Sequence, residues 1–364
     1  MNYKKLYNHP LYTEDLSYIL NLSLPWHMLK ETSILISGAT GMLGSMLIDA
    51  LLLGNQSLDL NCTIIAIGRS VSKFNSRFEH WQEYWNKSLI FHECDINKPF
   101  ADSIMQQKID YIIHLASNTH PVAYATDPIG TILANIYGTK NLLDFHIKAN
   151  SRRFAFASSN EIYGENRGDT EFFNEEYCGY IDCNTLRAGY PESKRCGEAL
   201  CQAYIKQAGI DVVIPRFTRT YGPTLQLTDS KALTQFLKNA LLNRDIVLKS
   251  SGSQFYSYTY AADAIAGLLT VLLKGEKGQA YNIADEQSDI QLKDLAEKIA
   301  NNIEKSVVFD LPDATEKAGF SKATKARLSA DKLKTLGWQL HYPINDGIKR
   351  VFKIMTDCDA VKYC

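Results

Sequence analysis

The chain of 364 residues carries a formal net charge of −1 at pH 7, so no overall field would draw it to nucleic acid or to an anionic membrane. Its hydrophobic fraction of 45% is ordinary for a globular protein, and its length suits one large domain or two closely joined ones. The N-terminal segment lacks the apolar stretch of a signal peptide, and no run of about 18 apolar residues occurs. These features predict a cytoplasmic protein without a membrane span and without a nucleic-acid partner.

The cysteines are scattered along the chain, and none stands in a CxxC pair. A chain of this size does not need disulfides to stabilise its core, so we interpret them as reduced thiols. Their spacing also lacks the pattern of a zinc site, and we expect no metal centre. The eight positions are Cys62, Cys94, Cys178, Cys183, Cys196, Cys201, Cys358 and Cys364.

Residues 1–30 are predicted to form an N-terminal extension, because their aromatic and apolar residues recur at roughly helical spacing. We expect one or two helices packed on the main body, with a partner-binding arm as the alternative. From residue 32 onward, short apolar segments alternate with helical ones. The predicted strands are "TSILISGAT", "CTIIAIGR", "LIFHECDI", "DYIIHLAS", "RFAFASSNEIYG" and "IDVVIPRFTRTYGP", and the predicted helices include "MLGSMLIDALLLGN", "IGTILANIYGTKNLLDFHIKAN" and "YPESKRCGEALCQAYIKQAG".

Alternating strands and helices of this kind are typical of a parallel sheet covered by helices on both faces. We therefore predict an α/β fold with a doubly wound parallel sheet, a Rossmann domain, over residues 31–215. After Pro223 the rhythm breaks into amphipathic helices with short strands between them. This change predicts a smaller C-terminal α/β substrate-binding lobe over residues 216–350, part of which returns to the sheet, and a C-terminal tail over residues 351–364.

A glycine-rich segment follows the first predicted strand of the sheet and opens its first helix. Glycines spaced GxxGxxG permit a tight turn, let a pyrophosphate approach the backbone and bring the helix close to the sheet. A glycine triplet alone is a weak signal, but at this strand–helix turn it predicts a bound dinucleotide, which we expect to be NAD. The residues expected to contact it are Gly38, Thr40, Gly41, Met42, Leu43 and Gly44.

The end of the second predicted strand bears on the choice of dinucleotide. An acidic residue at this place would grip the adenosine ribose 2′-hydroxyl of NAD, but the sequence has Gly68 and Arg69. Arg69 could stack on adenine or pair with a 2′-phosphate, or it could be a solvated loop residue. NAD is therefore expected, and NADP stays open as an alternative.

Seven motifs in order along the chain carry a resemblance to a known family. They are "GATGMLG" at 38–44, "CDI" at 94–96, "HLAS" at 114–117, "NIYGTKNLL" at 135–143, "SSNEIYG" at 158–164, "YPESK" at 190–194 and "RFTRTYGP" at 216–223. Over residues 32–350 the chain resembles the extended short-chain dehydrogenases/reductases, and within them the NAD-dependent nucleotide-sugar epimerase/dehydratase family. In its motifs it is most similar to UDP-glucuronate decarboxylases and dTDP-glucose 4,6-dehydratases.

The resemblance implies further roles in coenzyme binding. Asp95 and Ile96 would frame the adenine, and Asn135 would support the backbone of the active site. Three consecutive residues would line the path of the pyrophosphate and ribose, namely Leu115, Ala116 and Ser117.

The same resemblance places the catalytic centre on "YPESK". Tyr190 and Lys194 would be the catalytic pair, with Lys194 also holding coenzyme ribose hydroxyls, and Ser159 would hydrogen-bond the reacting sugar hydroxyl. Residues four apart share one face of a helix, so both side chains can point into one cleft. A nearby ammonium and a cationic nicotinamide would favour the phenolate, so we expect a lowered pKa for Tyr190, which can then accept a sugar proton. Without the other motifs, an exposed Tyr and Lys on a helix would be the simpler interpretation.

The trio Ser159, Asn160 and Glu161 bears on the reaction type. Asn160 cannot donate the acidic proton that 4,6-dehydratases use, whereas Glu161 is retained as a candidate catalytic group. In the second lobe the chain has Tyr256 where relatives often carry an arginine, and Arg219 where they carry an asparagine. We hypothesise that Arg219 supplies part of the positive charge missing at Tyr256, with a simple ion pair as the alternative. Ser159, Asn160, Arg219 and Tyr256 are thus the substrate-binding candidates.

The predicted function is the modification of a nucleotide sugar by transient oxidation at C4, in surface-polysaccharide or activated-sugar biosynthesis. An epimerase or a UDP-glucuronate-decarboxylase-like enzyme ranks above a 4,6-dehydratase and a 4-keto reductase. A non-catalytic NAD(P)-sensing module is a remote alternative, because a sensor needs no acid/base pair. A homodimer is expected, through the helices that contain "NIYGTKNLLDFHIKAN" and "YPESKRCGEALCQAYIKQ".

Overall fold

The computed structural model describes residues 1–119, 121–310, 312, 320 and 324–363. The helices found there are α1 (Tyr3–Tyr7), α2 (Pro10–Leu20), α3 (Met42–Ser57), α4 (Val71–Arg77), α5 (Asp102–Met105), α6 (Pro121–Thr126), α7 (Pro128–Ala149), α8 (Gly189–Ala208), α9 (Ala232–Leu241), α10 (Ala261–Lys274), α11 (Leu292–Asn301), α12 (Asp331–Thr335) and α13 (Ile344–Asp357). The strands found there are β1 (Ser33–Ser37), β2 (Thr63–Gly68), β3 (Leu89–Glu93), β4 (Tyr111–His114), β5 (Arg153–Phe156), β6 (Ser158–Ser159), β7 (Val212–Phe217), β8 (Arg219–Tyr221), β9 (Ile246–Leu248), β10 (Phe255–Tyr260), β11 (Ala280–Ile283), β12 (Asp289–Gln291), β13 (Val307–Phe309) and β14 (Lys325–Ala326).

The centre of the fold is a parallel sheet in the order β11-β7-β5-β4-β1-β2-β3, with β6 also paired to β7. The central strand β1 shows why helices cover both faces. Ile34 and Ile36 pack in a core cluster with α3 and α10, whereas Leu35 packs in the cluster on the other face with α7 and α8. Alternate residues of a strand point to opposite faces, and here both sets are apolar. The doubly wound α/β prediction is confirmed.

The helix ends near the glycine-rich segment and the "YPESK" motif follow from capping and packing. α8 carries Pro191 in its first turn and ends at Gly209, whose φ of +71° is the left-handed conformation common after a helix. α3 was expected to close on Gly54 and Asn55 but continues to Ser57. Asn55 does not stop the helix, because its side chain instead bonds the Cys62 carbonyl (2.8 Å) and N–H (2.9 Å).

The chain leaves the central sheet after β7 and builds the smaller lobe. There β10 pairs with β8, β12 and β14, and β9 pairs with β13, while β11 returns to the edge of the central sheet beside β7. The domain boundary expected at 215/216 falls within β7. Residue 351, where the C-terminal tail is expected to begin, lies within α13, whose buried apolar face includes Val351, Ile354 and Met355.

The N-terminal extension packs on the main body. Its helix α2 lies against α3 and α10. Buried Asp15 of α2 accepts hydrogen bonds from Tyr260 Oη (2.5 Å) and Arg350 Nη2 (2.7 Å), and the Asn2 N–H donates to the Cys358 carbonyl (3.0 Å). The extension thus contacts both the Rossmann domain and the C-terminal helix. Within the described ranges, no helix has the length and apolarity needed to cross a membrane.

A buried carboxylate ties the extension to the helix that follows the glycine-rich segment. Asp49 of α3 is fully buried and accepts hydrogen bonds from Tyr12 Oη (2.6 Å) and Trp81 Nε1 (2.8 Å). Arg77 forms an ion pair with the same carboxylate, and His80 Nε2 lies 3.2 Å from it. Burial by itself would raise the pKa of Asp49, but the Arg77 guanidinium and the hydrogen bonds hold this pKa well below its usual range.

Asp49→Ala is expected to lower the free energy of unfolding by about 3–5 kcal/mol, because it leaves a buried guanidinium without its counter-ion. Denaturant unfolding of purified variants measures the change. Tyr12→Phe removes a single hydrogen bond to the carboxylate and should cost less, about 1.5–3 kcal/mol. In Asp49→Ala/Arg77→Met the loss should be smaller than the sum of the single losses, since both charges are gone. Additive losses would contradict the ion pair as the link.

Candidate active site

The glycine-rich turn between β1 and α3 forms a backbone cradle. Gly38 has a φ of +72°, and a Cβ there would lie 2.8 Å from the Ala116 nitrogen, while a Cβ on Gly44 would lie 2.3 Å from the Gly38 carbonyl oxygen. The Gly41 N–H donates to the same carbonyl (2.9 Å) and Gly41 caps α3. Thr40, Met42 and Leu43 remain partly exposed at the start of the helix. The first N–H groups of α3 are therefore available to an anion, which fits the pyrophosphate of a dinucleotide.

A hydrogen-bonded chain fixes the ends of β1 and β4 beside this cradle. The Ala116 N–H donates to Ser37 Oγ (3.2 Å), which lies 2.7 Å from His114 Nδ1. His114 Nε2 lies 3.1 Å from Thr139 Oγ1, and Thr139 donates to the Asn135 carbonyl (2.6 Å). Because each hydroxyl has one proton, this chain assigns the Nε2–H tautomer to His114. Burial is the main cause that lowers the pKa of His114 to about 3, so its imidazole is neutral.

The Asn135 side chain extends this chain to the catalytic helix. Its Oδ1 accepts from Ser117 Oγ (2.8 Å), and its Nδ2 donates to Ser193 Oγ (2.9 Å). Ser193 in turn donates to the Tyr190 carbonyl (2.8 Å). Asn135 therefore joins the loop after β4 to the first turn of α8, which suits the backbone-supporting role predicted for it.

The residues predicted to frame the adenine lie after β2 and β3, at the same edge of the sheet as the cradle. Ile96 packs against α7, and its carbonyl accepts from Asn141 Nδ2 (2.8 Å). Asp95 is half-buried and accepts from the Asn97 N–H (3.0 Å), so part of its hydrogen-bonding capacity serves its own turn. Arg69 follows β2 and is exposed. It stays a prediction that Asp95 and Ile96 frame the adenine and that Arg69 bears on the choice between NAD and NADP.

The Tyr190 side chain is buried. The nearby side chains of Ser159 and Tyr124 act to lower the pKa of its hydroxyl. Burial, and after it the Glu161 carboxylate, nevertheless raise the pKa of Tyr190 to about 12. With only the protein's own groups acting, this direction is opposite to the one expected.

The position of Lys194 explains the difference. Its ammonium donates to the Ala157 carbonyl (2.8 Å) and lies 4.9 Å from the centre of the Phe156 ring. Burial lowers the pKa of Lys194 to about 7. The lysine therefore holds α8 against the strand that leads to Ser159, and other groups surround the Tyr190 hydroxyl.

A cleft between the two lobes opens beside Tyr190. It is lined by Asn160, Glu161, Gly164, Glu165, Tyr180, Ile181, Asp182, Thr185, Arg187, Ala188, Pro191, Arg219 and Ala326. Glu161 lies in a 3₁₀ turn directly after β6, and its carboxylate accepts from Arg187 Nη2 (2.6 Å to Oε1). Arg187, on the 3₁₀ turn before α8, was missed in the sequence. Its place three residues before Tyr190 is a signal that could have identified it.

Arg219 enters the cleft from the smaller lobe. It pairs with Tyr258 in the β8–β10 ladder, so Tyr256 is its diagonal neighbour, and the guanidinium carbon lies 3.3 Å from the centre of the Tyr256 ring. Arg219 Nη1 is buried and has no hydrogen-bond partner among the described residues. The Arg219 guanidinium thus lies beside Tyr256, where the sequence suggested that a positive charge is missing. Its unbonded Nη1 can still bind an anion. No group of three or more His, Cys, Asp or Glu side chains that could hold a metal ion occurs in the described part of the chain.

Comparisons with known proteins bear on the family and the fold. The sequence model of the NAD dependent epimerase/dehydratase family matches residues 34–284. UDP-glucuronic acid decarboxylase 1 of Xenopus tropicalis is 29% identical over 320 residues, covering 87% of this chain and 70% of that protein. UDP-glucuronic acid decarboxylase 5 of Arabidopsis thaliana is 28% identical over 318 residues, covering 86% of each. The solved structure of UDP-glucuronic acid 4-epimerase from Bacillus cereus, in complex with UDP-glucuronic acid and NAD, has a TM-score of 0.76 at 21% identity, covering 90% of this chain and 99% of that one.

Gly38→Ala is expected to weaken NAD binding by about 10-fold or more, because the new Cβ would displace the loop after β4 or the cradle itself. Titration calorimetry with NAD measures the affinity. Gly168→Ala is the matched control: Gly168 also has a positive φ, +85°, but nothing lies within 4 Å of a Cβ placed there. Equal NAD affinity in the Gly38→Ala variant and the control would contradict the cradle as the pyrophosphate site.

Proposed function

The chain belongs to the NAD-dependent epimerase/dehydratase family, and from this premise we propose that it acts on a nucleoside diphosphate hexuronic acid. The proposed reaction oxidises the sugar at C4, removes the C6 carboxylate as CO2 and reduces C4 again. The observation that carries this proposal is the guanidinium of Arg219 in the cleft beside Tyr190. Arg219 offers a buried, unpartnered guanidinium nitrogen there.

The groups for the first step lie on neighbouring elements. β6, which carries Ser159, packs against α8, which carries Tyr190, and Ser159 Oγ accepts the Glu161 N–H (3.2 Å). A sugar hydroxyl placed between Ser159 and Tyr190 can transfer its proton to Tyr190. When bound, NAD supplies the acceptor for the C4 hydride and returns the hydride at the end. The cradle at Gly38 would hold its pyrophosphate, and Lys194 would hold its ribose.

The carboxylate makes the second step chemically simple. Once C4 is a ketone, the C6 carboxylate stands β to it, so the electron pair of the breaking C5–C6 bond passes into the C4 carbonyl as CO2 leaves. C5 then takes up a proton. Arg219 can hold the anionic group of the substrate, and a guanidinium binds a carboxylate or phosphate through two parallel hydrogen bonds. Glu161, held by Arg187, is the ionisable group of the trio that faces the cleft.

The side chain next to Ser159 argues against the main alternative reaction. Asn160 is buried at the cleft and offers an amide, which has no acidic proton with which to expel a hydroxyl. A 4,6-dehydratase would need such an acid. A C4 epimerase shares the first step, and the product distinguishes it.

We further propose that the enzyme works as a cytoplasmic homodimer. The described cysteines are free thiols, which suits a reducing compartment. Ile129, Tyr137 and Ile147 of α7 are large apolar side chains exposed on the helix that packs beside α8, where a second copy could cover them.

Purified enzyme given NAD and UDP-glucuronate is expected to release CO2 and to yield a UDP-pentose. Mass spectrometry and NMR of the product measure this, with other UDP-, dTDP-, GDP- and CDP-sugars as the comparison panel. Tyr190→Phe should remove turnover and leave NAD binding in place. An unchanged mass with a new NMR spectrum would instead show an epimerase, and loss of water would show a dehydratase.

Arg219→Met is expected to raise KM by about 10- to 100-fold, because a charged hydrogen-bond donor to the substrate anion is lost while most of the side-chain volume remains. Steady-state kinetics with the substrate identified above measure it. Arg219→Lys keeps the charge but loses the planar pair of donors, so its KM should fall between those of the wild type and Arg219→Met. Equal KM values in all three proteins would rule out Arg219 as the anion ligand.

A further inference from the structure

We propose that Arg195 is a positioning residue for Glu161, because it clamps the backbone that carries Glu161 to the helix that carries Tyr190. This inference rests on the proposed function, which makes Glu161 the ionisable group that faces the sugar. Arg195 lies on α8 directly after Lys194.

One wall of the cleft consists of two chain segments, the turn and loop after β6 and the loop that leads to α8. The Glu165 N–H of the first segment donates to the Tyr180 carbonyl of the second (2.9 Å). The Gly179 N–H of the second segment donates back to the Tyr163 carbonyl (3.0 Å). The segments approach closely, since a Cβ on Gly179 would lie 2.3 Å from the Tyr163 carbonyl oxygen. Together they form the cleft wall, which comprises residues 160–165 and 179–182.

The Arg195 guanidinium joins both segments of the cleft wall to α8. Its Nε donates to the Ile162 carbonyl (2.7 Å), and its Nη2 donates to the Gly179 carbonyl (2.8 Å). Ile162 is the residue after Glu161 in the 3₁₀ turn that follows β6. Hydrogen bonds from a charged donor are stronger than those from a neutral one, so these two bonds fix the turn and the loop against the helix.

Glu161 is thereby held both at its carboxylate and at its backbone. Arg187 Nη2 donates to Oε1 of Glu161 (2.6 Å), while Arg195 bonds the carbonyl of the next residue. Both arginines belong to one stretch of chain, the 3₁₀ turn before α8 and the second turn of α8. The same stretch carries Tyr190, so these contacts set where the Glu161 carboxylate lies relative to the phenol.

The other contact of the Arg195 side chain is an ion pair on its own helix. Arg195 Nη1 lies 3.2 Å from the carboxylate of Glu192, and both side chains are partly exposed. An exposed pair of this kind contributes little to stability. The two carbonyl bonds instead reach residues 33 and 16 positions away in the chain, so they are the contacts that tie separate elements together.

Arg195 acts on the reaction only through the cleft wall. It is not among the described residues that line the cleft. A misplacement of about 1 Å in a reacting group can cost about 100-fold in rate. Loss of the clamp should therefore lower kcat, and it should change KM little because no contact with the sugar is removed.

Arg195→Met tests the proposal in the NAD-loaded enzyme with the substrate identified above. We expect kcat to fall by about 10- to 100-fold, because the cleft wall loses two charged donors, with KM changed by less than about threefold. Arg195→Lys can reach one of the two carbonyls, so its kcat should lie between those of the wild type and Arg195→Met. Arg244→Met is the matched control, because Arg244 is exposed in the turn between α9 and β9 and should change neither value.

A second background shows whether Arg195 acts through Glu161. Glu161→Gln keeps the size of the side chain and removes its charge, and Arg195→Met is measured with and without it. If Arg195 serves to place the carboxylate, its loss should lower kcat by less than about threefold once the carboxylate is gone. An equal fold loss of kcat in both backgrounds would overturn the proposal and leave Arg195 as a packing residue.

Hydrogen–deuterium exchange without any sugar separates this proposal from the proposed function. In NAD-loaded Arg195→Met, peptides that cover the cleft wall should exchange about tenfold faster than in the wild type, whereas peptides from β1 should not change. Faster exchange confined to the cleft wall supports the clamp even if no sugar of the panel is turned over, a result that would count against the proposed function alone. Unchanged exchange in the cleft wall would overturn the proposal.

Discussion

The proposed chemistry depends on one constraint, which is that the buried phenol of Tyr190 must give up its proton. Burial and a neighbouring carboxylate raise the pKa of Tyr190 to about 12, so the fold has to supply groups that act the other way. The hydroxyls of Ser159 and Tyr124 and the charge of Arg187 do so within the chain. Ser159 comes from β6, Tyr124 from α6 and Arg187 from the turn before α8. The packing of these three elements therefore affects the pKa of Tyr190.

The backbone around the phenol is fixed by a separate set of buried polar groups. His114 is neutral and joins β1, β4 and α7, and Asn135 carries the connection from Ser117 to the first turn of α8. Buried polar groups are costly unless each donor and acceptor has a partner. In the hydrogen-bonded series through His114 and Asn135, each group bonds to the next. The glycine-rich turn and Tyr190 are thereby linked through one hydrogen-bonded series. In the proposed reaction this matters because the hydride leaves C4 while the proton leaves the hydroxyl oxygen on that carbon.

Among the described residues, five charged side chains line the cleft: one ion pair, the carboxylates of Glu165 and Asp182, and Arg219. Glu161 and Arg187 satisfy each other, whereas Arg219 rests on the Tyr256 ring with one nitrogen unbonded. A guanidinium stacked on an aromatic face is held in orientation without losing its donors, so it is prepared for an anion before the anion arrives. This arrangement relates the two departures noted in the sequence, Arg219 and Tyr256, to one function.

The sequence predicts best what depends on local spacing. The apolar strands and the glycine turn follow from the local sequence, and the fold bears them out. The i, i+4 spacing of Tyr190 and Lys194 places both on α8, but it does not decide where their side chains point. The contact of Tyr124 with Tyr190 is set by packing between elements distant in the chain, and spacing carries no information on it. The same limit applies to the pKa of Tyr190, because the partner four residues away bonds to Ala157 instead.

The packing of the N-terminal extension decides between two interpretations that its sequence left open. From its spacing, residues 1–30 could be helices on the surface or an arm for a partner. In the fold, Tyr12 bonds a carboxylate on the cradle helix, and Asp15 bonds Tyr260 and Arg350 at the other lobe. Burial raises the pKa of Asp15 to about 6 despite these donors. The ionisation of Asp15 therefore lowers the stability of the fold as the pH rises from about 4 through 6. The segment stays docked because of its apolar contacts. Since α2 lies against α3 and α10 while Asp15 contacts α13, the extension constrains how the two lobes meet. The cleft between the lobes is lined by Arg219 on one side and by Glu161 and Arg187 on the other.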